Sequence, residues 1–460
     1  MATIGSFGTI KAWRQAIVHQ ALARVGASEI NKRFARGVFW SVIGSTISRG
    51  LMLVATIVVA RLLGKDSYGE LGMIQSTVGM FGVFAGFGLG LTATKYVAEY
   101  RERDPARAGR IIGMSGAFAF ASAGLMALTL VALAPWLAAD TINAPHLTNL
   151  LRIGAIILFF SAMNGAQTGA LAGLEAFKKT AQVNVFVGLV AFPVLLVGTY
   201  LSGLQGAVTA LAINLGFNWL FNHLALRKEA KQRFVPLTLV GAIREWPILW
   251  RFSLPSALAG MMVGPVTWAC SAMLANQPDG YGELGIYNAA NQWHVLLMYL
   301  PGILSSVLLP ILSKEMSEDE YKNPSRMLIL SIRANLLIVA PLVLILSALS
   351  PFIMQAYGSG FEQGWPTFIV AMMTALVVAA QTSVAQVIIA SGRVWMGLLM
   401  NVGWALTFVV LAAWLVQNGA LGLASAKLGA YLLQTIWVMT FAYRLINSRN
   451  QKSEHFLNER

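Results

Sequence analysis

The sequence predicts an all-α polytopic membrane protein with twelve transmembrane helices in two six-helix lobes related by an internal parallel repeat. Three observations lead there. The 460 residues are 57% hydrophobic and 11% charged, against roughly 45–50% and about 25% in soluble domains, so too few polar side chains exist to cover a folded exterior. Long stretches carry no Asp, Glu, Lys or Arg. Three short motifs recur in the same order in the two halves of the chain. Soluble, disordered and disulfide-stapled classes are excluded, and the single cysteine, Cys270, has no partner in the chain.

The spans follow in order, each needing roughly 20 apolar residues to cross a hydrocarbon core of about 30 Å. Residues 1–36 read as a basic cytoplasmic tail. The apolar run starts only at Val38 and continues for about 26 residues, longer than the core of a cleaved signal peptide. A surface helix over 4–25 fits less well, because Arg14 and Arg24 fall on the side of Ile10 and Trp13. Spans 1 and 2 centre near residues 50 and 83. The charge-free stretch Arg110–Asp140 holds span 3, near 125, and span 4 centres near 160. Lys179–Arg227 is long enough for spans 5 and 6, near 190 and 215, broken at Ser202-Gly203. The stretches Arg251–Asp279, Glu283–Lys314, Arg333–Glu362, Glu362–Arg393 and Arg393–Lys427 hold spans 7 to 11, near 263, 298, 338, 378 and 405, and span 12 centres near 432. The organisation is a tail (1–36), an N-lobe (37–226), a basic cytoplasmic linker (227–247), a C-lobe (248–446) and a tail (447–460), with no room for an extramembrane domain.

The +14 net charge orients the bundle. Twenty-eight basic residues fall on one side: those of both tails, Lys95 to Arg110, Lys178 and Lys179, Arg227 to Arg251, Lys314 to Arg333, Arg393 and Arg444. Arg61, Lys65 and Arg152 fall on the other. The positive-inside rule then places both termini in the cytoplasm.

Tyr68-Gly69-Glu70-Leu71-Gly72 recurs as Tyr281-Gly282-Glu283-Leu284-Gly285, Ala166-Gln167-Thr168 as Ala380-Gln381-Thr382, and Leu204-Gln205-Gly206 is answered by Ala420-Leu421-Gly422. Such repeats recur in secondary transporters. Six spans per half is even, so the halves share an orientation and are related by an axis along the membrane normal. Two lobes about a central cleft suit alternating access.

Enzyme chemistry is not indicated. Gly64-Lys65 continues into Asp66-Ser67 without the upstream glycine of a P-loop, and the five histidines lack metal-site spacing. The outer loops are too short and too sparsely charged for a membrane transferase. No cofactor, metal or nucleic-acid partner is expected. An ion gradient or the membrane potential, worth about 2.3 kcal/mol per charge per 100 mV, is the available energy source.

The polar residues inside the spans are the candidate site. Arg49 sits mid-span, too far from either end to snorkel, where a lone arginine costs at least about 2.5–3.5 kcal/mol. It needs an anionic ligand, a wet cavity or backbone carbonyls. Lys427 lies about seven residues into span 12, within reach of the interface, and Arg152 and Arg333 lie nearer span ends. No Asp or Glu falls in the middle third of a span, and the repeat-related Glu70 and Glu283 lie at the outer mouths of spans 2 and 8. A cleft lined by Arg49 and Lys427 would be cationic and suit a diphosphate. Asn214, Asn218 and Asn222 form an i, i+4, i+8 stripe on span 6, and Asn288, Asn291, Gln292 and His294 follow the second motif on span 8. These either bond sugar hydroxyls or hold helices together, as do Gln167 and Gln381. Gly82, Gly86 and Gly90 read as a close-packing stripe. Pro193, Pro255 and Pro265 are candidate kinks.

Ala60-Arg61-Leu62-Leu63-Gly64, followed after three residues by Tyr68-Gly69, resembles the signature of the polysaccharide repeat-unit (O-antigen/exopolysaccharide, Wzx-type) flippases. Gly86-Phe87-Gly88-Leu89-Gly90-Leu91, leading to Ala93, Lys95 and Tyr96, is similar to that family's end of span 2. The likeness continues through Gly173 and Phe177-Lys178-Lys179. It places the chain with the multidrug, oligosaccharidyl-lipid and polysaccharide exporters. The resemblance implies a non-enzymatic transporter of the bacterial inner membrane. Its cargo would be an undecaprenyl-diphosphate-linked oligosaccharide, flipped from the cytoplasmic to the periplasmic leaflet. It also implies H+ or Na+ coupling and a polysaccharide polymerase downstream. The alternative is an ion-coupled multidrug or small-metabolite exporter of the same fold, whose acidic lobe residues this chain lacks.

Overall fold

A computed structural model describes residues 29–254, 257, 261–302, 324–390 and 394–458, with side chains placed over 48–250, 252–254, 257, 261–302, 328–384 and 395–444. The expectations for residues 1–28 and for Pro255 lie outside the described residues.

Every regular element described is helical. In chain order these are α1 (Glu29–Gly86), α2 (Leu89–Tyr100), α3 (Pro105–Trp136), α4 (Thr148–Gly173), α5 (Phe177–Gln232), α6 (Val263–Ala275), α7 (Gly280–Leu297), α8 (Pro324–Ala348), α9 (Ser350–Ala356), α10 (Trp365–Ala390), α11 (Val394–Leu415) and α12 (Gly419–Asn458). Seven helical stretches among the described residues are long and apolar enough to cross a membrane: Ser48–Tyr100, Pro105–Thr141, Pro145–Gly173, Phe177–Gln232, Leu328–Ala348, Glu362–Val384 and Trp395–Arg444. Three of them turn back on themselves. Gly64 (φ 74°) interrupts α1, Gly203 (φ 54°) interrupts α5 beside Ser202, and Gly419 (φ 66°) separates α11 from α12. A positive φ is open to glycine at little cost, which is why these junctions carry it. The Ser202-Gly203 break lies where the sequence places it.

Two expectations change. Gly82, Gly86 and Gly90 do not form one ridge, because Phe87 (φ 42°) and Gly88 (φ 66°) break the helix between them. Only Gly90 is pressed close, against the Gly165 carbonyl of α4. Pro265 lies in the first turn of α6, where its missing N–H leaves no bond unmade. Pro193 sits within α5, whose non-helical residues are Ser202 and Gly203 instead.

The largest buried cluster joins both halves of the chain. It runs from Tyr68, Met73 and Ile74 on α1, through Leu284, Tyr287 and Phe361, to Phe408 and Leu423. A second cluster lies at the opposite end of the first half. There Leu89, Ala93, Ile111 and Leu171 pack under Val235, Ile248 and Leu249 of the connecting segment. Elsewhere the helices show large apolar side chains outward, among them Leu128, Tyr200 and Trp414, as a bilayer requires.

Candidate functional site

The two copies of the repeated pentapeptide lie against each other. A Cβ on Gly69 would overlap the Tyr281 carbonyl, one on Gly285 the Lys65 carbonyl, and one on Gly72 the Asn288 amide. Glycine at these positions lets α1 and α7 approach backbone to backbone. Each tyrosine of the pair then reaches a loop of the other half. The Tyr281 hydroxyl donates to the Ile142 carbonyl at 2.7 Å, and the Tyr68 ring meets Tyr357 and Phe361 with centroids 6.4 and 6.0 Å apart. Asn276 donates to the Thr141 carbonyl at 2.8 Å, and Lys65 pairs with Asp279 at 2.5 Å. Together these contacts close one end of the molecule. Both motif glutamates are satisfied there. Glu70 meets His146 at 2.6 Å, while Glu283 accepts from the Ala420 backbone N–H at 2.7 Å, capping the positive end of α12.

Below this closure the candidate cations separate. Arg49, on α1, is exposed and makes no ion pair among the described residues; its guanidinium lies 4.5 Å from the ring centroid of Tyr299, beyond the end of α7. It therefore links one half of the chain to the other. Its neighbour Ser48 turns the opposite way, 3.3 Å from a Cβ built on Gly188. Ser48 lines a cavity of about 190 Å³ with Asn184, Asn214, Asn218 and Phe192. Asn214 and Asn218 thus gather around Ser48, and neither Arg49 nor Asn222 lines that cavity. Asn222 is fully buried and donates to Asn218 and, at 3.3 Å, to Asn164, whose own amide bonds the Leu215 carbonyl at 3.1 Å. It holds α5 to α4. Gln167 of α4 faces the Trp219 indole and carbonyl of α5 in the same way.

Lys427 forms a second group, wholly within the second half. Its ammonium donates to Asn291 Oδ1 at 2.8 Å and lies 5.9 Å from the Tyr287 ring. His294, one turn along α7 from Asn291, is buried against the Ala371 carbonyl at 3.3 Å. Asn288 belongs to the closure, with its amide nitrogen buried over Gly72 and unbonded. Arg49 with Tyr299, Asn214 with Asn218 at the Ser48 cavity, and Lys427 with Asn291 are thus three separate groups. Sequence reasoning missed Tyr299, Asn184 and Ser48; an aromatic eight residues past Asn291 was the available signal for the first. Among the described residues no group of three or more His, Cys, Asp or Glu side chains is placed to hold a metal ion.

Residues 34–316 match the family described as polysaccharide biosynthesis protein. The chain is 26% identical over 412 residues to the EPS I polysaccharide export inner membrane protein EpsE of Ralstonia nicotianae, covering 85% of this chain and 90% of that one. It is 22% identical over 405 residues to the lipid III flippase of Escherichia coli, covering 87% and 95%. Among solved structures it superposes on a multidrug resistance MATE family transporter in its inward-facing conformation. That match has a TM-score of 0.72 at 14% identity and covers 89% of this chain and 99% of that one. The family match spans well over half of the sequence, and it includes both copies of the pentapeptide that meet at the closure. The chain belongs to the polysaccharide biosynthesis protein family of membrane transport proteins.

Proposed function

We propose that the protein flips an undecaprenyl-diphosphate-linked oligosaccharide repeat unit across the bacterial inner membrane, from the cytoplasmic to the periplasmic leaflet. Twelve spans form two six-helix lobes, 37–226 and 248–446, with both termini cytoplasmic, and the lobes rock to give alternating access. The Gly69–Tyr281 closure is the periplasmic seal. The observation that carries this reading is Arg49: a cation within a span, without an acidic partner among the described residues, set between the two halves on the Tyr299 ring. A cation so placed costs several kcal/mol unless it meets an anion or water, and a diphosphate supplies two charges on one ligand. Asn214 and Asn218 then contact the glycan, Lys427 and Asn291 add the second cationic wall, and the polyprenyl tail stays in lipid. Exchange with H+ or Na+ drives the cycle, and a polymerase takes the flipped unit. The reading is supported by the relatives' names, which describe polysaccharide export and a lipid III flippase.

The test is leaflet location of lipid-linked oligosaccharide, read with a membrane-impermeant glycosidase added outside cells or spheroplasts. Loss of the protein should leave intact lipid-linked units inaccessible, and Arg49→Ala should do the same while the protein remains folded in the membrane. Unchanged accessibility in the deletion would overturn the substrate. Full activity of Arg49→Ala would overturn the role of the cation.

A further inference from the structure

We infer that the segment joining the two halves is a strap lying in the membrane interface, and that the groove it closes against α3, α4 and α5 binds an anionic phospholipid of that leaflet. The sequence presents residues 227–247 as a basic loop, and the structure gives it a different character. Its backbone is pressed onto α3: a Cβ on Gly109 or Gly113 would overlap the Pro236 or Thr238 carbonyl. Glu245, buried, pins it further by accepting from Arg107 at 3.1 Å and Arg110 at 3.4 Å. A segment held this firmly shows its apolar side chains outward by design of the packing. Phe234 is 87% exposed, Val240 84% and Ile243 74%, with Leu239 and Trp246 beside them. In water such a patch is unfavourable. At the headgroup level it is what the interface favours, and Trp246 with Trp250, ring centroids 6.4 Å apart, forms the aromatic edge found there.

Behind the strap is a groove of about 530 Å³, lined by Gly116 and Phe120 of α3, Met163 of α4, Trp219 and Arg227 of α5, and Leu239 of the strap. Phe120 is also exposed outward, so the groove is continuous with the lipid-facing surface. Its walls suit an acyl chain and its mouth suits a phosphate. Arg227, Lys228, Lys231 and Arg244 are all exposed and make no ion pair among the described residues, while Arg233 pairs with Glu229 at 3.6 Å. Arg227 lines the groove and the other three lie along the same basic segment; such cations beside an apolar groove select an anionic headgroup over a zwitterionic one. A soluble acidic protein would match the charges but not the apolar face beside them. The inference does not depend on the transported substrate.

Two measurements on the whole chain in bilayers test it. Cys270 is the only cysteine and is buried, so a nitroxide on Ile243→Cys in a Cys270→Ser background reports one position. Collisions with oxygen should exceed those with a water-soluble nickel chelate; the reverse would place the strap in water and overturn it. In nanodiscs, brominated phosphatidylglycerol should quench tryptophan emission several-fold more than phosphatidylcholine brominated at the same acyl positions. Arg227→Gln with Lys231→Gln and Arg244→Gln should remove that difference. Equal quenching by the two lipids in the unmodified chain would overturn the lipid site. Displacement of the brominated phosphatidylglycerol by a polyisoprenyl phosphate would assign the groove to the substrate's tail and also overturn it.

Discussion

Gly285→Ala tests whether packing between the repeated motifs holds the closure. The new methyl would lie inside the Lys65 carbonyl, 3.0 Å from its carbon and 3.3 Å from the Gly69 nitrogen. All three are backbone atoms of a helix and cannot rotate away, so α1 and α7 must separate by on the order of 1 Å to restore van der Waals contact. Overpacking of this kind costs about 1–3 kcal/mol. Alanine also gains about 1 kcal/mol in helix propensity over glycine, but that gain applies whether the end is closed or open and cancels from their ratio. At about 1.4 kcal/mol per factor of ten, the open fraction should rise about 5- to 140-fold. The Lys65–Asp279 pair offers little resistance, since its side chains are 28% and 54% exposed and such pairs contribute about 0–1 kcal/mol. The assay is the labelling rate of Asn288→Cys, in the Cys270→Ser background, by a membrane-impermeant maleimide added at the closed end. Gly79→Ala is the control, because a Cβ there meets nothing within 4 Å. It should label at the parent rate. If Gly285→Ala also labels at that rate while melting cooperatively, the motif contact does not hold the end shut.

Three further outcomes follow from the site. Tyr299→Leu should impair flipping as Arg49→Ala does, whereas Tyr299→Phe should retain it, because the ring face attracts the guanidinium without the hydroxyl; the leaflet assay reads both. Asn291→Leu removes the acceptor 2.8 Å from the Lys427 ammonium. It should cost about 1.5–3 kcal/mol, as a charged group losing its hydrogen bond does, and Lys427→Met in the same chain should recover most of it, as a shift in melting temperature in detergent. Asn222→Leu should lower stability by about 0.6–1.7 kcal/mol, the range for interhelical bonds in membranes, and leave flipping intact. Asn214→Ala should do the reverse.

The helical class and the Ser202-Gly203 break were legible because each rests on a local cause. Missing charge forces burial in lipid, and Ser202-Gly203 marks a reversal through a residue that adopts positive φ. The repeat was legible as text, but not its meaning. Nothing in Tyr-Gly-Glu-Leu-Gly states that its two copies touch, which depends on how the halves dock. The amides show the same limit: Asn214, Asn218 and Asn222 have identical spacing and chemistry, yet Asn164 of α4 bonds only Asn222 among them, while Asn214 and Asn218 line the cavity beside Ser48. The packing of the linker was not legible for a different reason. Its arginines and lysines dominated the reading, while the outward direction of Val240 and Ile243 follows from Gly109 and Gly113 on a helix more than a hundred residues earlier.

The helix α7 ties the closure to one cluster and not to the other. It is unbroken from Gly280 to Leu297, so Tyr281, Glu283 and Asn291 move as one body, spanning roughly 15 Å at 1.5 Å per residue. Glu283 holds the first turn of α12 through the Ala420 N–H, and Asn291 holds Lys427 further along the same helix. Lifting Tyr281 away from Ile142 therefore carries α7 and the start of α12 together and leaves the Lys427–Asn291 distance unchanged. The Arg49–Tyr299 contact has no such protection. Arg49 belongs to α1, which continues past Gly64 into the opposite face of the closure, and Tyr299 lies beyond a turn at Met298. Any separation of the halves must be taken up there. A short bismaleimide bridging Arg49→Cys and Tyr299→Cys should consequently suppress labelling at Asn288→Cys and halt flipping when the same bridge between Asn291→Cys and Lys427→Cys leaves that labelling unaffected. Suppression by both bridges would mean that α7 bends within its length, and the two clusters would then belong to a single moving unit.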